Sequence, residues 1–395
     1  MQWTLQKKED KSYGDIVHSI IARLELARLL ADAKRILIKP NFVTVKSSHD
    51  GVTTSIDLVR EIVKAVKEIS TAEIIVGESS LLDTATVFKY LNVYDLEKTG
   101  CRVENFDKGE WIDVEPPFSL LFNRILIPRL AYESDFIINV SKMKTHALTG
   151  VTLGIKNFFG LLSASGRRYA HLKDINKGIV DVYSYFEANK KMVSIIDALV
   201  ALSGKSGPVA GYPVKPDYLI AGTSTVLCDA AATIIMGAVP DEIPHLKMSA
   251  ELFHIDLTKS LIDGKDFADS TRLFEMPLMV KSAYPKWADI AQFLQTRLFY
   301  KYPVQKESQL CISCGRCGRI CPKGIVSVND RAFTYDRSEC VHCLSCVEAC
   351  NTDAITYKIK NKALFFLLRL CWRSLGAAKR LCKVSKKTGV SQNGA

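Results

Sequence analysis

Apolar positions change rhythm repeatedly along the first 240 residues, and each change marks an element. Arg35-Ile36-Leu37-Ile38 is a short apolar run closed by Pro40, which reads as a buried strand. From Ile56 to Ile69 the apolar residues fall at 56, 59, 62, 63 and 66, a helical stripe. Thr54 and Asp57 are expected to form a capping box ahead of it. Ala72–Gly77 reads as the next strand, and Thr84–Lys98 as a helix ended by Gly100. Asp135–Val140, Met192–Asp197 and Tyr218–Ala221 read as further strands, and Val226–Met236 as a helix. Strands alternating with helices predict an α/β fold with a mostly parallel, covered sheet. Residues 241–300 are less regular. Trp287–Tyr300 is expected to be helical and to lead to a boundary at Lys301-Tyr302-Pro303.

Beyond that boundary the pattern is set by cysteine. Cys311-x2-Cys314-x2-Cys317-x3-Cys321-Pro322 is repeated, 29 residues on, as Cys340-x2-Cys343-x2-Cys346-x3-Cys350. Each set offers three thiolates on a tight turn and a delayed fourth, the pattern that wraps a [4Fe–4S] cube. In two-cluster ferredoxins the fourth cysteine crosses to the other cube. Cys311, Cys314, Cys317 and Cys350 are thus assigned to one cluster, and Cys340, Cys343, Cys346 and Cys321 to the other. A zinc ribbon needs two pairs of ligands rather than triplets, and no secretory signal favours a disulfide framework. With all eight cysteines in place, His342 is not needed as a ligand. The segment resembles the bacterial-type ferredoxin module, which implies a small α+β fold and low-potential electron transfer. It departs from that pattern where Asn351, not proline, follows the last cysteine.

Charge alters the picture only at the end. The formal net charge is +11, but residues Ala354 to Ala395 hold ten Lys or Arg and no acidic residue. The body is therefore nearly neutral, which argues against a nucleic-acid-binding surface. Leu364–Lys383 reads as an amphipathic helix with a basic face, suited to a membrane interface, a partner or the chain's own body. No stretch reaches the roughly 18 apolar residues of a membrane span, and a cytoplasmic location is expected. The expected domains are an α/β domain over 1–300 with its core at about 33–240, a two-cluster module over 301–358 and a basic tail over 359–395.

Ligands of α/β sheets bind beyond the carboxyl ends of strands. Three expected loops lie there: Lys39-Pro40-Asn41, Gly77-Glu78-Ser79-Ser80, and a long one running from Ser141 to Asn157. The last contains Lys142, Lys144, His146, Gly150, Gly154 and Lys156, which offer positive charge, proton transfer and close backbone approach. Ser203-Gly204-Lys205-Ser206-Gly207-Pro208 lacks the leading glycine of a phosphate loop and reads as a turn. His18, His49, His245 and His254 look isolated and structural, and Cys101 and Cys228 read as core thiols.

These motifs, with Ile196-Asp197, Gly207-Pro208 and Cys228-Asp229-Ala230, resemble a prokaryotic family of unknown function commonly fused to a ferredoxin module. His146, Lys156 and His171 are also distantly similar, in order and spacing, to a histidine, lysine and histidine of the lactate racemase N-terminal domain. That resemblance implies an acid/base at His146, a nickel-cofactor lysine at Lys156 and a cofactor ligand at His171. The second catalytic histidine of that family has no counterpart in Gly77-Glu78-Ser79. The candidate catalytic residues are His146, Lys156, His171 and Glu78, and the candidate cofactor-binding residues are Lys39, Asn41, Lys144 and Lys156. The expected function is electron transfer through two [4Fe–4S] clusters to a small-molecule substrate or second cofactor on the α/β domain, with a redox partner protein. The alternatives are a non-catalytic carrier docking to a partner and a metal-dependent isomerase.

Overall fold

A computed structural model describes residues 3–205, 207–260, 268–277, 301–340, 342–350 and 352–361. The expected helices at Trp287–Tyr300 and Leu364–Lys383 lie outside the described residues. The chain divides into two compact units, Met1–Ala283 with Arg319–Gly324, and Tyr284–Gly318 with Ile325–Ala395.

The first unit is an α/β domain. Its sheet contains β1 (Trp3–Lys7), β2 (Arg35–Lys39), β3 (Glu73–Glu78), β4 (Arg102–Asn105), β7 (Phe136–His146), β9 (Lys191–Ser203) and β11 (Tyr218–Gly222), in the order β1-β11-β9-β7-β2-β3-β4. From β9 to β4 all neighbours are parallel; β11 runs antiparallel to both β9 and β1. β8 (Gly150–Thr152) and β10 (Tyr212–Val214) add short antiparallel partners, while β5 (Trp111–Val114) and β6 (Ile125–Pro128) form a separate hairpin. One face packs Ile36, Ile38, Val76, Ile138 and Val140 against α1 (Tyr13–Arg23), α2 (Leu26–Leu29), α3 (Ile56–Ile69) and α4 (Thr84–Leu91). The other face carries α6 (Gly154–Asn157), α7 (Ala164–Leu172), α8 (Ile175–Asn189), α9 (Thr225–Ile235) and α10 (Pro244–Leu252), after a short α5 (Arg129–Glu133). With both faces covered, the strands are buried almost throughout, as a parallel sheet requires.

Three local readings need correction. The cap of α3 is Ser55, whose Oγ accepts from Leu58 N, not Thr54. Thr54 instead accepts from Asn41 N and donates to the Val140 carbonyl, each at 2.9 Å. The helix from Thr84 stops at Leu91, because Asn92 turns left-handed (φ 55°) and the chain rewinds as a 3-10 helix to Thr99. The third correction matters most for the site. Ser141–His146 is not a loop but the second half of β7, which passes a register irregularity between Lys142 and Lys144. All eleven positions of β7 are buried, so its polar half shows no alternation to betray it.

In the second unit β12 (Lys301–Gln305) pairs with β15 (Ile355–Ile359), and β13 (Val326–Asn329) with β14 (Ala332–Tyr335). Short helices follow at Arg316–Arg319 and Ser345–Glu348. The first carries Cys317 and the second carries Cys346.

On β3, Gly77 lies beneath the Phe106 ring, whose Cζ would fall 2.1 Å from an added Cβ. Gly77→Ala is therefore expected to cost about 1–3 kcal/mol. Gly109→Ala, whose Cβ meets only Phe106 O at 3.7 Å, is expected to cost much less. Urea unfolding of both variants checks this.

Candidate functional site

The crossover from β2 runs to β3, and that from β7 runs the other way to β9, so β2 and β7 part at their carboxyl ends. Such a topological switch point is where open α/β sheets bind ligands. Lys39 and Asn41 leave β2 here, and Lys142, Lys144 and His146 end β7.

An amide network closes the gap. Asn157 accepts from Asn41 Nδ2 at 2.8 Å and donates to Asn139 Oδ1 at 2.8 Å and to the Lys39 carbonyl at 3.1 Å. Asn139 Nδ2 reaches the Gly154 carbonyl and Ser194 Oγ, both at 3.0 Å. Asn157 arrives on α6, whose first amides, Gly154 N and Ile155 N, are held by the two carboxylate oxygens of Asp229 at 2.7 and 2.8 Å. Burial pushes the Asp229 carboxyl up to about 7, against the pull of those two amides.

Four lysines are arranged around this network with unequal partners. Lys39 Nζ lies 2.7 Å from Glu78 Oε1, and both groups are buried. Glu78 also accepts from Ser79 N and Phe42 N, so both its oxygens are engaged. Lys142 pairs at 2.8 Å with Asp197, which also accepts from Ser55 N. Lys144 donates only to neutral oxygens, Asn41 Oδ1 at 2.7 Å and the Val52 carbonyl at 2.9 Å. Burial, then Lys156 and Lys142, hold its amine well below the usual lysine range. Lys156 lies over the Phe159 ring, 5.2 Å from its centroid. Burial and then Arg167 push its amine down to about 8.

His146 is 4% exposed, and its Nδ1 accepts from Leu148 N and Thr149 N. Burial, then Lys156 and Lys144, keep the ring neutral, well below the usual histidine range. His171 is exposed on α7; its Nδ1 contacts the Arg167 carbonyl at 2.7 Å, and its ring faces Phe159 at 5.7 Å. Lys156 and His171 thus share one aromatic ring. The sequence-derived candidates therefore gather at one end of the sheet, Lys39 with Glu78, Asn41 with Lys144, and Lys156 with His171.

Three contributors were missed. Arg167 grips the Ser79 carbonyl at 2.8 Å and Ser79 Oγ at 2.9 Å. Asp229 positions α6, and only its place in the Cys228-Asp229-Ala230 motif signalled it. His245 is not isolated: it is fully buried on α10 and feels the Lys156 charge, with its pKa pushed down to about 3 by burial and then by Lys156. The segment around Gly204 and Gly207 packs on the end of β7, where Thr145 Oγ1 donates to Gly204 O and Ala147 N to Gly207 O. It is a cover rather than a phosphate loop.

In the second unit the two cysteine sets repeat in backbone conformation. Ser313 and Gly315 flank Cys314 with φ 55° and 68°, and His342 and Leu344 flank Cys343 with φ 57° and 69°. Left-handed residues on both sides of a cysteine make the tight turn that points successive thiols one way. Cys317 and Cys346 sit with Ile355 in a small apolar core, against which Cys350 packs. Cys314 and Cys350 lie close enough to Cys317 to help raise its thiol pKa, after burial. Cys340 and Cys346 act in the same way on Tyr335. Thiols in an apolar shell are a donor set that fits iron–sulfur clusters.

Residues 36–233 match the family model described as Domain of unknown function (DUF362), and residues 298–355 match a 4Fe-4S dicluster domain. The chain is similar to Thylakoid-associated protein sll1697 of Synechocystis sp., at 24% identity over 63% of this chain and 78% of that protein. It is similar to Uncharacterized ferredoxin MJ0722 of Methanocaldococcus jannaschii, at 37% identity over 13% of this chain and 74% of that one. A solved structure, the lactate racemase apoprotein from Thermoanaerobacterium thermosaccharolyticum, is similar at 18% identity and a TM-score of 0.35, covering 65% of this chain and 58% of that chain. The chain thus spans somewhat over half the length of that racemase.

The Lys39–Glu78 pair yields a stability prediction. Glu78→Gln leaves a buried cation without its anion and should cost about 3–5 kcal/mol near pH 7. The loss should shrink as pH rises, because the buried lysine then releases its proton more readily than in the unfolded chain. Lys39→Met combined with Glu78→Met should recover most of it. Denaturant unfolding at pH 7 and 9.5 measures all three.

Proposed function

We propose that this chain, which belongs to the DUF362 family and carries a 4Fe-4S dicluster domain, is an oxidoreductase whose α/β domain binds the redox-active small molecule where β2 and β7 part. The observation that carries this reading is the excess of amine and other donor groups there: among the described residues, neither the buried Lys144 nor the half-buried Lys156 is paired with a carboxylate. A buried cation without an anion is costly and is retained where a ligand supplies the missing charge.

The clusters, when bound, supply one-electron transfer at low potential. Cys311, Cys314, Cys317 and Cys350 would hold one, and Cys340, Cys343, Cys346 and Cys321 the other. The proximity of Cys314 and Cys350 to Cys317 supports this crossed assignment. Lys144 and Asn41 orient the ligand from the floor of the gap. His146, neutral, offers Nε2–H as a hydrogen-bond donor. Lys156, with its amine near 8, is the group poised to give or take a proton close to neutral pH. A redox protein partner would deliver or collect the electrons.

The test is anaerobic. Protein reduced with dithionite is mixed with candidate acceptors, and cluster reoxidation is followed by absorbance. Lys156→Met and His146→Ala should slow substrate-dependent reoxidation at least about tenfold, a typical loss for a general acid or base. Full activity in both variants would sink the reading and leave a carrier that docks to a partner protein. Cys350→Ser should lower bound iron from about eight to about four atoms per chain, as read by metal analysis.

A further inference from the structure

Two buried histidines within range of the Lys156 charge are held in opposite tautomers. His146 Nδ1 accepts from Leu148 N at 3.2 Å and Thr149 N at 3.3 Å, so its ring proton sits on Nε2. His245 Nδ1 lies 3.3 Å from Asn176 Oδ1, an atom that can only accept. Its proton therefore sits on Nδ1, and Nε2 presents a bare lone pair. That Nε2 is buried and, among the described residues, finds no hydrogen-bond partner. The Thr152 hydroxyl, on the residue paired with Lys144 across β7 and β8, is likewise buried without a partner among the described residues. Such orphans are rare in native folds and call for an explanation. Here they accompany a half-buried ammonium, Lys156, that has no carboxylate partner among the described residues.

We propose that Lys156, His146 and His245 form a seat for a protonated oxyanion, a ligand group with a negative charge and an O–H on the same atom or its neighbour. The charge answers Lys156. His146 Nε2–H donates to an anionic oxygen, and the ligand's O–H donates to His245 Nε2. Hydrogen phosphate carries both features on one phosphorus atom; a carboxylate beside a hydroxyl carries them on neighbouring carbons. The proposal rests on the pocket being the ligand site and adds the chemical class that it accepts.

The pH dependence follows from the groups around Lys156: Lys144 and His146 from β7, Arg167 and His171 from α7, His245 from α10, and Asp229 from α9, which holds the first amides of α6. All but Asp229 are cations or neutral bases. With its amine near 8, Lys156 is charged below that pH and neutral above it. The attraction for an anion is present at pH 7 and is lost as pH rises through 8. Inorganic phosphate keeps at least one O–H across that range and only gains negative charge, so a loss of affinity belongs to the lysine.

The experiment is calorimetric titration of the full chain, anaerobically reconstituted, with inorganic phosphate and with sulfate at pH 7. The two ions match in shape and nearly in charge, but sulfate has no proton to give to His245. Phosphate should bind at least about tenfold more tightly, the scale of one unsatisfied buried polar group. The same comparison with 2-hydroxypropanoate and propanoate distinguishes a carboxylate ligand from a phosphate one. Wild type should lose about tenfold in affinity between pH 7 and 9, as the charged fraction of Lys156 falls, whereas Lys156→Arg should hold it. His245→Leu should abolish the preference for the protonated member of the pair. Equal affinities within both pairs, or no binding of any of the four, overturns the seat, whatever the fate of the variants. Probe binding together with acceptor-dependent reoxidation that is undiminished in Lys156→Met and His146→Ala would sink the electron-transfer reading alone; reoxidation slowed in those variants while all four probes fail to bind would sink the seat alone.

Discussion

Neighbouring parallel strands whose crossovers leave in opposite directions must separate at their carboxyl ends, and the gap between β2 and β7 governs the rest of this structure. Backbone hydrogen bonding stops there while burial does not. Side chains must then satisfy what the ladder no longer can. Asn157 meets that need from α6, joined by Asn139 on β7 and Asn41 after β2. The lysines are secondary to this arrangement. Lys144 reaches its place only because Asn41 and the Val52 carbonyl accept from it.

The four lysines show how the same residue type is treated in two ways within one domain. Lys39 and Lys142 each meet a buried carboxylate at hydrogen-bond distance, and those carboxylates also cap backbone amides. Such pairs fix geometry more than they stabilise, since desolvation cancels much of the Coulombic gain. At Gly160 an added Cβ would lie 2.9 Å from both Glu78 Oε1 and Lys39 Nζ. That glycine lets the neighbouring turn close over the pair. Lys144 and Lys156 have neutral or aromatic neighbours instead. The first two lysines brace the strand ends, and the last two stand without a carboxylate partner among the described residues.

The sheet was legible in the sequence because its buried strands are short apolar runs separated by helical stripes, as at Ile36–Ile38 and Ile56–Ile69. The cysteine module was legible from spacing alone, and the 4Fe-4S dicluster match agrees with it. The far half of β7 was not, since Ser141–His146 is polar yet buried on both sides, and polarity ordinarily marks a loop. Lys39, Asn41, Lys144 and Lys156 could be picked out because each follows an apolar strand or sits in a dense basic run. His245 could not. It stands about a hundred residues from His146, in a helix with nothing basic nearby except Lys247, and only the packing of α10 against α6 brings it to Lys156. Thr54 illustrates a subtler failure, where a good local capping pattern yields to tertiary bonds from Asn41 and to Val140.

The Asp229 carboxylate has a mechanical consequence. It holds the first two amides of a helix only one turn long, and that turn carries both Asn157 and Lys156. A helix so short has almost no stiffness of its own, so its orientation is borrowed from α9. The amide that closes the strand gap and the amine of Lys156 thus share one anchor on another helix. Any rotation of α9 would swing them together, as two teeth on one wheel.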